Sequence, residues 1–245
     1  MSEYNKKLSL IQSNINSFLG LDTVTITVGA GDNERSFSIH KKLLAEKSTV
    51  FHKLLNGDRK GDEVRSVTEA HLPEDDPDVF SLFIEWLYCS TLKTITTLGE
   101  RESELAVGIF KAIVLADKYC LTEFGDRLMT IYAARNKLSP LPELSNCYNE
   151  VGPQNKFRLY ATRWVAYVTL CYADSRHPGC SNENIAKVFE MNPELGREVL
   201  KAMRNQSGIA QKNPNMAPPC DYHSHPQAAI CPYAFPNRKI FTMNK

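Results

Sequence analysis

The sequence predicts an α+β fold: a small β-sheet beside a cluster of α-helices, followed by a helical extension and a weakly ordered tail. Three observations carry that expectation. Residues 22–28 (Asp-Thr-Val-Thr-Ile-Thr-Val) alternate polar and β-branched apolar residues, the period of a half-buried strand, and Phe37 and Ile39 mark its return. Residues 72–91 read as a helix that is capped at its start and apolar along one face. From Leu105 onward, apolar residues recur again and again at helical spacing.

The elements follow in chain order. Leu8, Ile11, Ile15, Phe18 and Leu19 share one face of a helix over residues 1–20, which Gly20 is placed to end. After the first strand, Gly29, Gly31, Asp32 and Asn33 supply a turn. A helix opens at His40-Lys41-Lys42-Leu43-Leu44, Ser48 interrupts it, and Phe51, Leu54 and Leu55 continue on a second short helix closed by Asn56-Gly57. Residues 57–68 form a charged, glycine-punctuated loop leading into a short strand that ends near Leu72. Asp76 is the expected N-cap of the next helix and Pro77 its first residue, where a missing N–H costs nothing. Asp75, Asp76 and Asp78 place negative charge at the positive end of that helix. Phe80, Phe83, Ile84, Leu87 and Tyr88 form its apolar face, and burial contributes roughly 1.5–3 kcal/mol per large side chain.

Residues 92–95 suggest an edge strand. Residues 105–120 form an apolar helix with a stripe of Leu105, Ile109, Ala112, Ile113 and Ala116, flanked by Phe110 and Val114. Phe124, Leu128, Ile131 and Tyr132 line the helix after it, and Ser139-Pro140-Leu141-Pro142 marks a boundary. Beyond it come a short helix (Leu141, Leu144, Tyr148, Val151), a longer one (Phe157, Tyr160, Trp164, Val168, Cys171) and two more around Ile185, Val188 and Phe189 and around Val199, Leu200 and Met203. From Ser207 the chain is rich in proline and asparagine, and weak order is expected.

Composition narrows the function. The 29 basic and 28 acidic side chains give a net charge of +1, so neither nucleic acid nor an anionic membrane is expected as partner. No apolar run is long enough to span a bilayer, and residues 1–20 lack the apolar core of a secretory signal. Seven scattered cysteines then read as reduced thiols of a protein in the cytoplasm or nucleus.

The wording of three stretches resembles the BTB/POZ family, especially its fungal form. They are Leu72-Pro73-Glu74-Asp75-Asp76-Pro77 running to Trp86-Leu87-Tyr88, Phe37-Ser38-Ile39-His40-Lys41 running through Leu43-Leu44 to Ser48 and Phe51, and Leu115-Ala116-Asp117-Lys118-Tyr119. Their order and context make them specific when taken together. The resemblance implies an N-terminal helix over residues 1–20, a BTB/POZ domain over 21–138, a helical extension over 139–206 and a tail over 207–245. It implies a protein–protein interaction adaptor without catalytic residues, which homodimerises and recruits a protein partner. Asp22, His40 and Lys41 match family positions that border the dimer groove; alternatively, His40 satisfies a backbone carbonyl at a strand-to-helix joint. Many relatives are substrate adaptors of cullin ubiquitin ligases, which makes a cullin a candidate partner. Against that, Gly108-Ile109-Phe110 stands where such members carry an apolar-x-acid triplet, leaving Glu102 and Glu104 as substitutes after a register shift.

The tail carries one ligand-type constellation: Cys220, His223, His225 and Cys231. Two thiolates and two imidazoles can complete a tetrahedral, closed and hence structural zinc site. The spacing matches no common finger, the two histidines are so near each other that joint binding looks strained, and chance clustering in a tail is the alternative. Phosphate-loop, dinucleotide-binding, His-Glu-x-x-His and Gly-x-Ser-x-Gly motifs are missing from the sequence. Two further readings stand beside the adaptor: a transcription-linked scaffold with a zinc-ordered tail, and an enzyme with a Cys/His centre.

Overall fold

The computed structural model describes residues 19–56, 67–135, 137, 139–172, 178–205, 212–226 and 230–233. By their own contacts they divide into two compact units. The first comprises Met1–Ile95 with Lys118–Leu121, and the second Thr96–Asp117 with Thr122–Lys245. The fold is α+β, as the sequence predicts. No helix among the described residues is long and apolar enough to cross a membrane.

The first unit is built on a three-stranded sheet in the order β2-β1-β3. Strand β1 (Thr23–Val28) pairs antiparallel with β2 (Arg35–His40), Thr23 opposite His40 and Val28 opposite Arg35. It pairs in parallel with β3 (Glu69–Leu72), Thr25 opposite Glu69. Val24, Ile26 and Val28 point inward and are buried while Thr23 and Thr25 are exposed, so the sequence alternation sets the register. Gly29 turns the chain with φ 87; a Cβ there would lie 2.9 Å from both the Asn33 carbonyl oxygen and the Pro77 ring. The expected helix over residues 1–20 lies outside the described residues except at its end, where Leu19 is helical and Gly20 adopts φ 77. The charged loop over 57–66 also lies outside them.

Helices α1 (Lys41–Lys47) and α2 (Thr49–Asn56) meet at Ser48, as the sequence suggests. The buried Ser48 hydroxyl accepts from the Phe51 amide at 3.0 Å and donates to the Tyr119 carbonyl at 2.6 Å, so it both starts α2 and ties it to residues 118–121. Leu54 faces outward on α2. Helix α3 (Pro77–Cys89) has the expected cap: the Asp76 carboxylate accepts from the Asp78 amide at 3.0 Å and from that of Val79 at 3.5 Å. Phe83 packs parallel to Phe51 (centroids 6.2 Å apart), and Phe51 stacks on Tyr119 at 4.6 Å.

Two expectations for this unit are corrected. The buried face of α3 is Val79, Phe80, Leu82, Phe83, Trp86 and Leu87, so Trp86 is inside, Ile84 is half-buried and Tyr88 is 40% exposed. The buried stripe is thus displaced around the helix by one residue, which brings Trp86 in and turns Tyr88 out. Residues 92–95 form no strand. The Glu85 carboxylate accepts from the amides of Lys93 (2.7 Å) and Thr94 (3.2 Å), which takes up the donors that an edge ladder would need.

The second unit holds α4 (Glu102–Lys118, all but its last residue), α5 (Thr122–Ala134), α6 (Leu141–Glu150), α7 (Lys156–Cys171), α8 (Asn182–Met191) and α9 (Pro193–Asn205). Its core is a chain of aromatic rings. Phe110 meets Tyr132 and Phe157 at 5.0 and 5.3 Å, and Tyr160 meets Tyr132 and Tyr222 at 5.5 and 5.2 Å. The predicted stripe on α4 is buried throughout, from Leu105 to Ala116. Asp117 at its end accepts from the Gly152 amide (2.7 Å) and the Asn155 side chain (2.8 Å), closing the α6–α7 turn. On α9 the expected face is displaced: Leu200 is exposed, and Leu195 is buried with Val199.

The expectation of a weakly ordered tail is also corrected for the described part. Residues 212–226 and 230–233 fold onto α5 and α7. Pro214–Met216 and Pro219–Tyr222 form 3-10 turns, and Tyr222 is 1% exposed. Its hydroxyl donates to the Pro214 carbonyl at 3.1 Å, Tyr160 donates to Asn215 at 2.9 Å, and Arg163 pairs with Asp221 at 2.8 Å. Composition suggested disorder; one buried ring and several long-range hydrogen bonds override it.

Candidate functional site

In the first unit the structure brings Asp22, His40 and Lys41 together. Asp22 immediately precedes β1, His40 ends β2 opposite Thr23, and the Lys41 amide donates to the Asp22 carbonyl at 2.9 Å. Asp22 is exposed, and His40 and Lys41 are half-buried. Among the described residues the His40 ring meets no carbonyl. Its Nδ1 lies 2.8 Å from the Tyr88 hydroxyl, and that hydroxyl also accepts from the His40 amide at 3.1 Å. Beside this group Leu21 is 80% exposed. Sequence reasoning placed Tyr88 on the core face of α3, and so missed that its hydroxyl fixes His40.

In the second unit the four tail residues converge. One ligand-type atom from each of Cys220, His223, His225 and Cys231 lies within 4.8 Å of all the others. A tetrahedral zinc ion, with bonds of about 2.3 Å to sulphur and about 2.0–2.1 Å to nitrogen, has ligand-to-ligand edges of roughly 3.3–3.8 Å. Cys231 Sγ and His223 Nδ1 already stand 3.3 Å apart. The two histidines turn to one side in spite of their nearness in sequence. The backbone is extended at His223 (φ −99, ψ 148), and in extended chain alternate side chains share one side. The two rings lie 5.4 Å apart, centroid to centroid.

Helix α5 supplies the supports. The Asp126 carboxylate, 3% exposed, accepts from the amides of Ser224 (2.7 Å) and His225 (3.4 Å) and so holds the backbone between the histidines. Burial raises its pKa, partly offset by those two amides. The Thr130 hydroxyl donates to the Asp126 carbonyl at 2.9 Å and lies 2.9 Å from His223 Nε2. Burial and the neighbouring His225 lower the pKa of His223 to about 4, so its ring is neutral at physiological pH. Burial also raises the Cys220 thiol, as does its hydrogen bond with Cys231. Tyr233 closes the group: its amide donates to Cys231 Sγ at 3.4 Å, its hydroxyl donates to the Glu123 carbonyl at 3.0 Å, and the Arg127 guanidinium lies over its ring. Sequence reasoning missed Asp126 and Thr130. Neither stood out in the sequence, because Thr122, Glu123 and Arg127 are polar on the same helix.

Residues 15–108 match the family model of the BTB/POZ domain. The chain carries that domain there, a protein-interaction domain whose matched region takes in the hairpin, α1 to α3 and the first part of α4. No curated protein matches the chain.

Proposed function

We propose that the protein is an association module, in which the BTB/POZ domain pairs with a second copy of the chain and recruits a further protein. The observation that carries this reading is the end of the hairpin. There an exposed leucine, Leu21, stands beside Asp22, His40 and Lys41, an apolar contact with a polar rim. A cullin as the recruited partner draws less support. Ile109 and Phe110 are buried, and a Cβ on Gly108 would meet Leu98 at 2.5 Å, so the triplet position offers no side chain to a partner. Glu102 is bound to Arg135 and Glu104 to Arg101. A Cys/His enzyme draws little: Cys231 is buried, and a histidine whose pKa lies near 4 is a poor base for a thiol.

Light scattering on the purified chain tests the pairing. A dimer mass is expected, reduced to monomer by Leu21→Asp combined with Lys41→Glu; a monomer at high concentration in the unmodified chain refutes it. Affinity purification from cells, with and without that double substitution, then identifies the recruited protein.

A further inference from the structure

We propose that Cys220, His223, His225 and Cys231 form a closed, four-coordinate zinc site that fastens the C-terminal segment to α5. The ligand atoms are the two cysteine Sγ atoms, Nδ1 of His223 and Nε2 of His225.

The ring nitrogens follow from what each one already touches. The hydrogen of the Thr130 hydroxyl goes to the Asp126 carbonyl, so towards His223 that hydroxyl can act only as an acceptor. His223 therefore carries its proton on Nε2 and turns the lone pair of Nδ1 towards Cys231 Sγ. His225 Nδ1 lies 3.0 Å from the Pro226 carbonyl, which accepts and cannot donate, so the proton sits on Nδ1. That leaves the lone pair on Nε2, a buried nitrogen without a hydrogen-bond partner among the described residues. A buried acceptor with no donor is destabilising, and a cation at the centre of the cluster removes that cost. Metal-bound histidines characteristically give their other N–H to an oxygen, and both do so here.

The ligand set selects the ion. Two thiolates with two imidazoles in a tetrahedral array suit zinc over the hard, oxygen-seeking calcium and magnesium. With four protein ligands no position remains for substrate, which makes the site structural. Both cysteines would bind as thiolates, their protons leaving to solvent. The consequence is mechanical. The described residues 220–226 and 230–231 carry no long helix or strand, and the ion joins Cys220 and Cys231 to one point over Asp126 and Thr130.

The test uses the full chain, without a histidine tag, purified from zinc-supplemented culture. Metal analysis is expected to find about one zinc per chain. Replacement by cobalt(II) should give the visible absorption of a tetrahedral thiolate site. Cys220 is exposed, as are Cys89, Cys120 and Cys171, yet it should resist alkylation until a chelator is added while those three react at once. Cys220→Ser with Cys231→Ser should abolish binding. In case that variant fails to fold, His225→Gln and Thr130→Val keep the question open to decision. Each should retain the circular dichroism of the parent and weaken cobalt binding about tenfold or more. Three results would overturn the proposal: zinc content unchanged in the double-serine variant, cobalt affinity unchanged in His225→Gln, or a reduced, folded chain that takes up no metal. A Cys220–Cys231 disulfide that leaves no metal uptake after reduction counts as the third.

Discussion

Helix α3 and the segment over residues 213–233 are held by different kinds of interaction. Helix α3 starts on a local device, the Asp76 carboxylate accepting from amides two and three residues ahead, and is then anchored by the burial of six large or medium apolar side chains. The described residues of the tail segment have short 3-10 turns instead of a long element. Beyond the buried Tyr222 ring its anchors are polar and remote: Asp126 reaches Ser224 across 98 residues of chain, and Thr130 reaches His223 across 93. A region of the first kind loses stability when apolar volume is removed. A region of the second kind loses it when a single polar partner is removed, because each partner fixes a backbone that has no ladder of its own.

Removing apolar volume from α3 should have the largest effect. Phe83→Ala is expected to destabilise the first unit by about 3–5 kcal/mol, read as an earlier midpoint in urea. A loss below about 1 kcal/mol would mean that the helix does not depend on its buried face. Next comes Asp126→Ala, which leaves two tail amides without their acceptor and should cost about 1–3 kcal/mol, concentrated locally. Hydrogen exchange should quicken at Ser224 and His225 and stay constant along α3. Uniform quickening would erase the contrast between the two regions. Asp76→Ala sharpens it from the other side, with an expected loss of about 0.5–2 kcal/mol and early fraying at the start of α3, seen in the exchange of the Asp78 and Val79 amides. The smallest effect is Tyr88→Phe. It removes the hydroxyl that holds His40 and should cost about 0.5–1.5 kcal/mol in thermal unfolding, while changing the chemical shifts of the His40 ring.

The same contrast explains what could be read from the chain. Asp76, Pro77 and the spacing of Phe80, Phe83 and Leu87 announce α3 because a cap and a helical period are encoded within a few residues. The rotation of its face was harder to read. Trp86 and Tyr88 are both aromatic, and only the packing partners distinguish the one that goes inside. The missing edge strand had no signal at residues 92–95; its cause is the Glu85 carboxylate on the preceding helix. For the tail, the residue types Cys220, His223, His225 and Cys231 were legible as ligand chemistry, and their convergence was not. It depends on Asp126 and Thr130, which nothing in the tail's own composition points to.

The sequence by itself determined the alternating hairpin, the capped aromatic helix and the run of amphipathic helices after Leu105, since these rest on backbone preference and on periods of two and of three to four residues. It also determined which four side chains could share a cation. The tertiary structure alone decided that Tyr88 holds His40, that the described tail residues pack on α5 and α7, and that the four ligand-type atoms face one another. Each of those outcomes depends on groups distant in sequence being brought within about 3 Å, and local pattern carries no record of such meetings.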